Sequence, residues 1–320
     1  MSFAVLGTGS ALPDQQVTND QLSRRMDTSH EWIFTRTGIA SRPLCREETV
    51  TGLALKAARL ALEDGGVAPG ELDYILCPTL AGDYITPSLA CMVQEGLGAS
   101  CPALDLNAAC SGFLYALDMA DGLFARGRAK KVLVVAAEVM SRMVDWKDRS
   151  TCVLFGDGAA AAVLGEGEDL LSLLVTAQGT NGPLCIPAPS GNCPYSRREQ
   201  TESYLAMNGQ EVYKFAVGSI LRDLPEVIRL AGLEPKQVDH LLLHQANLRI
   251  LEAAQKKLSI PAERYAVNIQ HRGNLSAVSV PLLLDEMNRA GRLLPGQILA
   301  LCAFGGGLTT GAAVLRWSKR

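Results

Sequence analysis

The chain is written twice, and that repetition limits its possible folds more than any other feature. In the first half, 53–65 reads as a helix and 71–76 leads into a strand. In the second, 212–232 reads as a helix and 237–243 leads into a strand. The turn Gly66-Val67-Ala68-Pro69 matches Gly232-Leu233-Glu234-Pro235. The correspondence continues down the chain. Helix 87–97 pairs with 247–258, strand 103–107 with 265–269, and helix 111–125 with 275–289. Strand 132–137 then pairs with 298–304, and the last strand, 158–164, with 311–315. Each half reads β-α-β-α-β-α-β-β, repeated at about 165 residues, one domain length. Alternating strands and helices predict largely parallel, mixed sheets covered by helices. Two such halves, 1–168 and 169–320, should pack around a pseudo-twofold axis and share a buried helix layer. The expected fold is α/β, layered α-β-α-β-α.

The composition suits that architecture. Of the 320 residues 48% are hydrophobic and few are aromatic, as long buried strands and close helix packing require. The formal charge of −3 gives no general attraction to nucleic acid or to an anionic membrane surface. No apolar run approaches the roughly 20 residues that span a bilayer. The N-terminus lacks a basic leader and reads as a first strand, so a cytoplasmic location is expected. Nine cysteines, an odd number with no C-x-x-C pair, read as reduced thiols. They do not cluster with the four histidines, so no metal site is expected. Two stretches, 8–50 and 178–207, interrupt the repeat as long irregular segments, and loops of that length are usually functional.

Cys110 lies where strand 103–107 hands over to the third helix of the first half. A helix N-terminus carries free N–H groups and about half a positive charge, both of which favour a thiolate nucleophile. Ala108, Ala109, Ser111 and Gly112 leave room for a substrate at the sulfur. A packing role is the commoner fate of a cysteine, and the other eight lack this setting. Asn274 precedes the third helix of the second half as Cys110 does in the first. His244 ends a strand, where sites in α/β sheets gather. Taken alone, His244 reads as a core histidine and Asn274 as a helix cap. The run Phe304-Gly305-Gly306-Gly307 is either a plain turn or a backbone open enough to face an oxyanion.

Six motifs together resemble the β-ketoacyl-acyl carrier protein synthase III family of thiolase-like condensing enzymes. They are Asp27 to Ile39 (DTSHEWIFTRTGI), Asn107 to Phe113 (NAACSGF), Phe155 to Ala159 (FGDGA), His244 to Ile250 (HQANLRI), Gly273-Asn274 with Ser276 and Ser279-Val280-Pro281, and Phe304 to Gly307. They stand in family order across nearly the whole chain. The resemblance implies a homodimeric acyltransferase that needs no cofactor and takes acyl-coenzyme A as a substrate. Cys110 would receive the acyl group. Malonyl-acyl carrier protein would then lose carbon dioxide, and its carbanion would attack the acyl-cysteine. His244 and Asn274 would stabilise the enolate, with the N–H groups of Cys110 and Gly306 as the oxyanion hole. Trp32 and Arg149 would sandwich the adenine, and Arg36 would face the phosphates. Asn247 would face the pantetheine arm, with Thr28, Thr37, Gly209 and Phe304 as further coenzyme contacts.

The carrier is acidic, so a slightly acidic enzyme needs a local basic patch to dock it. Arg249, Lys256 and Lys257 share a helix face, and Lys214 is expected to join them. Thr86 stands where many relatives carry phenylalanine at the end of the acyl pocket, and a smaller residue there implies room for longer or branched primers. Two other readings stay open at this level: a condensing enzyme of specialised ketone or quinolone metabolism, and a Cys-His-Asn thioester hydrolase.

Overall fold

The computed structural model describes residues 2–188, 194–195, 203–258 and 260–319. The first sheet contains β1 (Ser2–Ala11), β2 (Tyr74–Pro78), β3 (Ala103–Leu106), β4 (Lys131–Val139) and β5 (Asp157–Gly167). Their order across the sheet is β1-β5-β4-β2-β3. Strands β2, β3 and β4 run parallel, while β5 lies antiparallel to β4 and β1. The second sheet contains β6 (Leu170–Thr180), β7 (His240–Leu243), β8 (Ile298–Gly305) and β9 (Gly307–Arg316), in the order β6-β9-β8-β7. The two orders are the same when corresponding strands of the repeat are matched.

The sequence explains the burial. In β4 every residue after Lys131 is buried, and Val132, Leu133, Val134 and Val135 offer apolar side chains to both faces. The helices α1 (His30–Thr37), α2 (Val50–Gly65), α3 (Leu89–Leu97) and α4 (Gly112–Ala125) belong to the first half. The second half supplies α5 (Gly209–Leu230), α6 (Leu248–Lys257) and α7 (Ser279–Arg289). On the outer face of the first sheet, α2 presents Ala54, Ala57, Ala58 and Ala61, and α3 packs beside it. Those small side chains bring α2 so close to β1 that a Cβ on Gly7 would meet the Ala61 carbonyl at 2.4 Å. On the outer face of the second sheet lie α5 and α6.

Between the sheets lie α4 and α7. Phe113, Leu114, Leu117 and Phe124 of α4 and Val280, Leu283, Leu284 and Met287 of α7 share one core. That core also takes Val132 and Val134 from one sheet and Leu299 and Leu301 from the other. The result is the five-layered α-β-α-β-α fold.

Two details differ from the sequence reading. Residues 265–269 form no strand: a single bridge, Leu241 to Tyr265, marks the position. The chain is drawn away there into the short helix Ile269–Arg272, where the Gln270 carbonyl accepts the Ala40 N–H at 2.8 Å. The stretch 8–50 is also more ordered than expected. It carries α1, the helix Asn19–Ser23 and a paired strand ribbon, Gln16–Thr18 against Ser41–Pro43. Within 178–207, Leu184–Cys185 pairs with Ala206–Met207. Part of that stretch, including Cys193, lies outside the described residues. All cysteines among the described residues are unpaired thiols. No helix among them is long and apolar enough to cross a membrane.

Candidate active site

The N-termini of α4 and α7 are built by the same turn, used twice. A short 3-10 turn precedes each helix, Ala109–Ser111 in one half and Ser276–Val278 in the other. The first residue of each turn has a left-handed backbone, Ala109 with φ 46° and Ser276 with φ 51°. Among the described residues these are the only non-glycine positions with positive φ. Each is fixed by an asparagine two residues earlier. Asn107 Oδ1 accepts the Ala109 N–H at 3.2 Å, and Asn274 Oδ1 accepts the Ser276 N–H at 2.9 Å. The register of the repeat therefore differs from the sequence reading: Asn274 matches Asn107, and Cys110 matches Ala277.

The two turns meet on a chamber of about 1580 Å³ whose lining includes Cys110, His244, Asn274, Ser276 and the glycine run 305–307. Because Asn274 Oδ1 is already engaged, its amide group Nδ2 is left to donate into the chamber. The glycine run packs hard against the nucleophile turn, since a Cβ on Gly305 would sit 2.6 Å from the Cys110 nitrogen. Gly306, the next residue, lines the chamber together with Cys110. Thr309 and Ser111 tie the two segments together. Thr309 Oγ1 donates to the Ala108 carbonyl at 2.9 Å and accepts the Ser111 hydroxyl at 2.6 Å. The sequence reading missed both tie residues and Ser276's own part in the site. Hydroxyls this far apart in sequence carry no periodic signal.

His244 is buried at the end of β7 and stacks edge-on against Phe304, with ring centroids 5.1 Å apart. Its Nδ1 is buried without a hydrogen-bond partner. An orphaned acceptor is better tolerated than an orphaned N–H, so the proton belongs on Nε2, toward the chamber. Burial lowers the imidazole pKa to about 3, so the ring is a neutral donor throughout the physiological range.

Cys110 departs from expectation. Burial pushes its thiol up to about 12, partly opposed by the Ser276 hydroxyl and reinforced by the nearby Glu138 carboxylate. The helix proper begins only at Gly112, and the groups beside the sulfur include no cation to offset desolvation. Cys110 therefore rests as a thiol.

At the chamber mouth, Ser29 caps α1 by accepting the Trp32 N–H at 3.1 Å, and Trp32, Arg36 and Thr37 line the opening. Trp32 is covered from the start. The Arg36 and Arg149 guanidinium carbons lie 4.9 and 5.2 Å from its ring centroid. A ring held between two planes needs about 7 Å, two contact distances. The expected sandwich is therefore closed, and Arg149 must swing away to open it. Arg149 is held meanwhile by Asp27, whose carboxylate accepts its Nη1 at 3.1 Å. Asn247 lines the chamber as well, but its side chain also caps α6 at the Arg249 N–H and donates to the Arg36 carbonyl at 3.1 Å. Gly209 and Phe304 line the chamber, whereas Thr28 does not, its hydroxyl being buried without a partner.

Thr86 is exposed and does not line this chain's chamber, where its neighbour Ile85 does. The segment from Tyr84 to Pro87 is exposed throughout and leads into α3. Lys214, Arg249, Lys256 and Lys257 are all exposed on the neighbouring helices α5 and α6 near the mouth, and Arg249 itself borders it.

Comparison with known proteins agrees with this arrangement. Residues 104–182 match the family described as 3-oxoacyl-[acyl-carrier-protein] synthase III, and 228–317 match its C-terminal part. The β-ketoacyl-[acyl-carrier-protein] synthase III of Aquifex aeolicus is 45% identical over 99% of this chain and 100% of its own length. The enzyme of that name from Clostridium acetobutylicum is 43% identical over 99% of both chains. A crystal structure of the Aquifex aeolicus synthase superposes with a TM-score of 0.92 at 44% identity, covering 98% of this chain and 100% of the other. A priming β-ketosynthase of a polyketide pathway reaches a TM-score of 0.93 at 34% identity, over 99% and 97% of the two chains. With this identity and this fold shared over nearly the whole of both chains, the chain belongs to the β-ketoacyl-[acyl-carrier-protein] synthase III family.

Proposed function

We propose that this acyltransferase starts fatty acid synthesis in two half-reactions at one chamber, joining an acyl group from coenzyme A to malonyl-acyl carrier protein. Coenzyme A enters as a substrate, and no resident cofactor is required. In the first half-reaction the Cys110 sulfur bonds to the acyl carbon and coenzyme A departs. In the second, the malonyl thioester loses carbon dioxide and its enolate carbon attacks the acyl-cysteine, releasing 3-oxoacyl-acyl carrier protein and the Cys110 thiolate. The observation that carries this reading is the convergence of Cys110, His244 and Asn274 on one largely apolar chamber. His244 Nε2 and Asn274 Nδ2 are aimed as neutral donors at the malonyl thioester oxygen, where the enolate charge grows. The N–H groups of Cys110 and Gly306 take the acyl oxygen. Leu80, Met140, Met143 and Leu205 line an apolar wall suited to the primer's chain. The division of labour follows the repeat, with 1–168 supplying the nucleophile and 169–320 the enolate donors.

We assign Trp32, Arg36, Thr37, Arg149, Gly209, Asn247 and Phe304 to the coenzyme path, and the four basic residues of α5 and α6 to carrier docking. The chain works as a homodimer in the cytoplasm. Supporting the dimer, β3 is an edge strand with an open row of backbone groups, and Tyr84, Ile85, Leu104 and Met119 are exposed apolar side chains in the segments around it. Pairing β3 with its twofold mate would carry Thr86 toward the partner's chamber. Light scattering at micromolar concentration should report twice the chain mass, and a stable monomer refutes this pairing.

Three further results are expected. Asn274→Ala should form acyl-Cys110 and accumulate it, because losing one oxyanion donor slows decarboxylation by about 10²- to 10³-fold. His244→Ala should behave similarly, while Cys110→Ala should form no acyl-enzyme and still release some carbon dioxide. Protein mass and carbon dioxide release, followed together, check all three variants. Acylation lost and decarboxylation kept in Asn274→Ala would reverse the assigned roles.

The second concerns pH. Because burial disfavours the imidazolium and holds His244 near 3, falling pH does not protonate it until well below 5. Malonyl decarboxylation by Cys110→Ala should therefore be flat from pH 5 to 7. A fall centred near 6.5, the usual histidine value, contradicts a desolvated ring.

The third separates the carrier from the coenzyme. Lys257→Glu with Arg249→Glu should raise the apparent KM for malonyl-acyl carrier protein and leave acylation by acyl-coenzyme A nearly unchanged. Rising salt should imitate the double variant, since exposed charges are screened over about 8 Å. Equal losses in both steps would show that the patch does not act through docking.

A further inference from the structure

Behind Cys110, on the side away from the chamber, lies a carboxylate that neither half-reaction has used. Glu138 is fully buried in the otherwise apolar end of β4. Its Oε2 accepts the Leu80 N–H at 3.2 Å, and its Oε1 accepts the Ser276 hydroxyl at 3.2 Å. The Ala277 N–H also favours its charged form. Ser276 and Cys110 both line the chamber, and the Ser276 hydroxyl is the polar side chain that holds the Cys110 thiol down against burial. Thiol, hydroxyl and carboxyl thus follow one another from the reacting sulfur into the protein.

A tie between strand and turn does not require an acid. Burying a carboxylate is costly unless a charge or a full set of hydrogen bonds compensates, and a neutral amide would tie the same elements at less cost. The elements packed around Glu138 offer the Ser276 hydroxyl and Ala277 N–H from one turn, the Cys110 thiol from the other, and the Leu80 N–H after β2. None of these is a cation. Burial accordingly raises the Glu138 carboxyl to about 8, which leaves both its protonation states accessible near neutral pH.

We propose that Glu138, acting through Ser276, is a positioning residue that stores the Cys110 proton while the sulfur carries the acyl group. The proposal rests on Cys110 being the nucleophile. During acylation the thiol proton passes to Ser276 Oγ as the hydroxyl's own proton passes to Glu138 Oε1. The sulfur–acyl bond forms, the acyl–coenzyme A bond breaks, and coenzyme A leaves as a thiolate that takes a proton from water. During condensation the enolate carbon bonds to the acyl carbon and the bond from that carbon to Cys110 breaks. The released thiolate regains its proton from Ser276, which is refilled from Glu138. One turnover consumes one solvent proton, and Glu138 ends as the carboxylate it began as. A buried thiol with a resting pKa near 12 can then react without first giving its proton to water.

The test is single-turnover acylation by acyl-coenzyme A, read as protein mass from pH 6 to 10, for the parent enzyme, Glu138→Gln and Ser276→Ala. Only the ionised carboxylate accepts the proton. The parent rate should therefore rise with pH and level off above about 8, where Glu138 is ionised. Both variants should be slower at pH 8 by about 10²-fold, the usual contribution of a positioned base. Both should also keep climbing with pH, following the free thiolate. A Glu138→Gln enzyme that levels off like the parent overturns the proposal and leaves Glu138 as a structural tie. Should that variant fail to fold, Ser276→Ala decides the matter by the same criterion, and a parent rate that never levels off overturns the proposal on its own. A parent that gains no mass at Cys110 refutes the nucleophile reading as well, so the two failures are distinct.

Discussion

Everything at the active site hangs on two helices whose apolar faces are clasped between the sheets. Because α4 and α7 are gripped by both sheets, their N-termini cannot shift independently, and each N-terminus ends in a turn that carries functional groups. A left-handed non-glycine residue costs about 1 to 3 kcal/mol, and there is one in each turn. Each fully buried leucine or phenylalanine contributes about 1.5 to 3 kcal/mol, and the two helices bury eight large apolar side chains in the shared core. The packing outweighs the strain, and the strained geometry is what turns Cys110 and the Asn274 amide toward a common space.

The three converging side chains are electrically quiet. His244 is neutral because it is dry, Cys110 is protonated for the same reason, and Asn274 carries no charge. In the proposed reaction, charge reaches them only when a thioester oxygen becomes an oxyanion or an enolate, and the donors for it are already fixed by backbone and packing. Preorganised dipoles in a dry chamber need little rearrangement as that charge appears. Cations are held at the rim instead, where Arg36 and Arg149 cover Trp32 and the basic residues of α5 and α6 face solvent.

The layers of the fold were legible because hydrophobic period and repetition are local signals. Strand β4 reads from its run of valines, and α2 from alanines at helical spacing. Cys110 stood out by its small neighbours, and His244 by its place after an apolar strand. What stayed hidden depends on burial or on contact between distant segments. The sign of the Cys110 shift follows from desolvation, which no motif encodes. The expected strand at 265–269 has suitable residues but stops at the single bridge of Tyr265, and Ile269 already starts the next helix. Glu138 drew no notice in the sequence, because its partner Ser276 lies 138 positions away.

The matched turns also explain why a chain with two moulds has one reactive centre. Ala277 occupies in the second half the seat that Cys110 occupies in the first, on the same backbone and at the start of an equivalent buried helix. Yet Ala277 is 1% exposed and does not line the chamber, whereas Cys110 does. A thiol installed there would inherit the geometry and have no doorway, because no thioester could reach it. Duplication made two copies of the seat, and the course of the tunnel, rather than the shape of the turn, decides which copy can work.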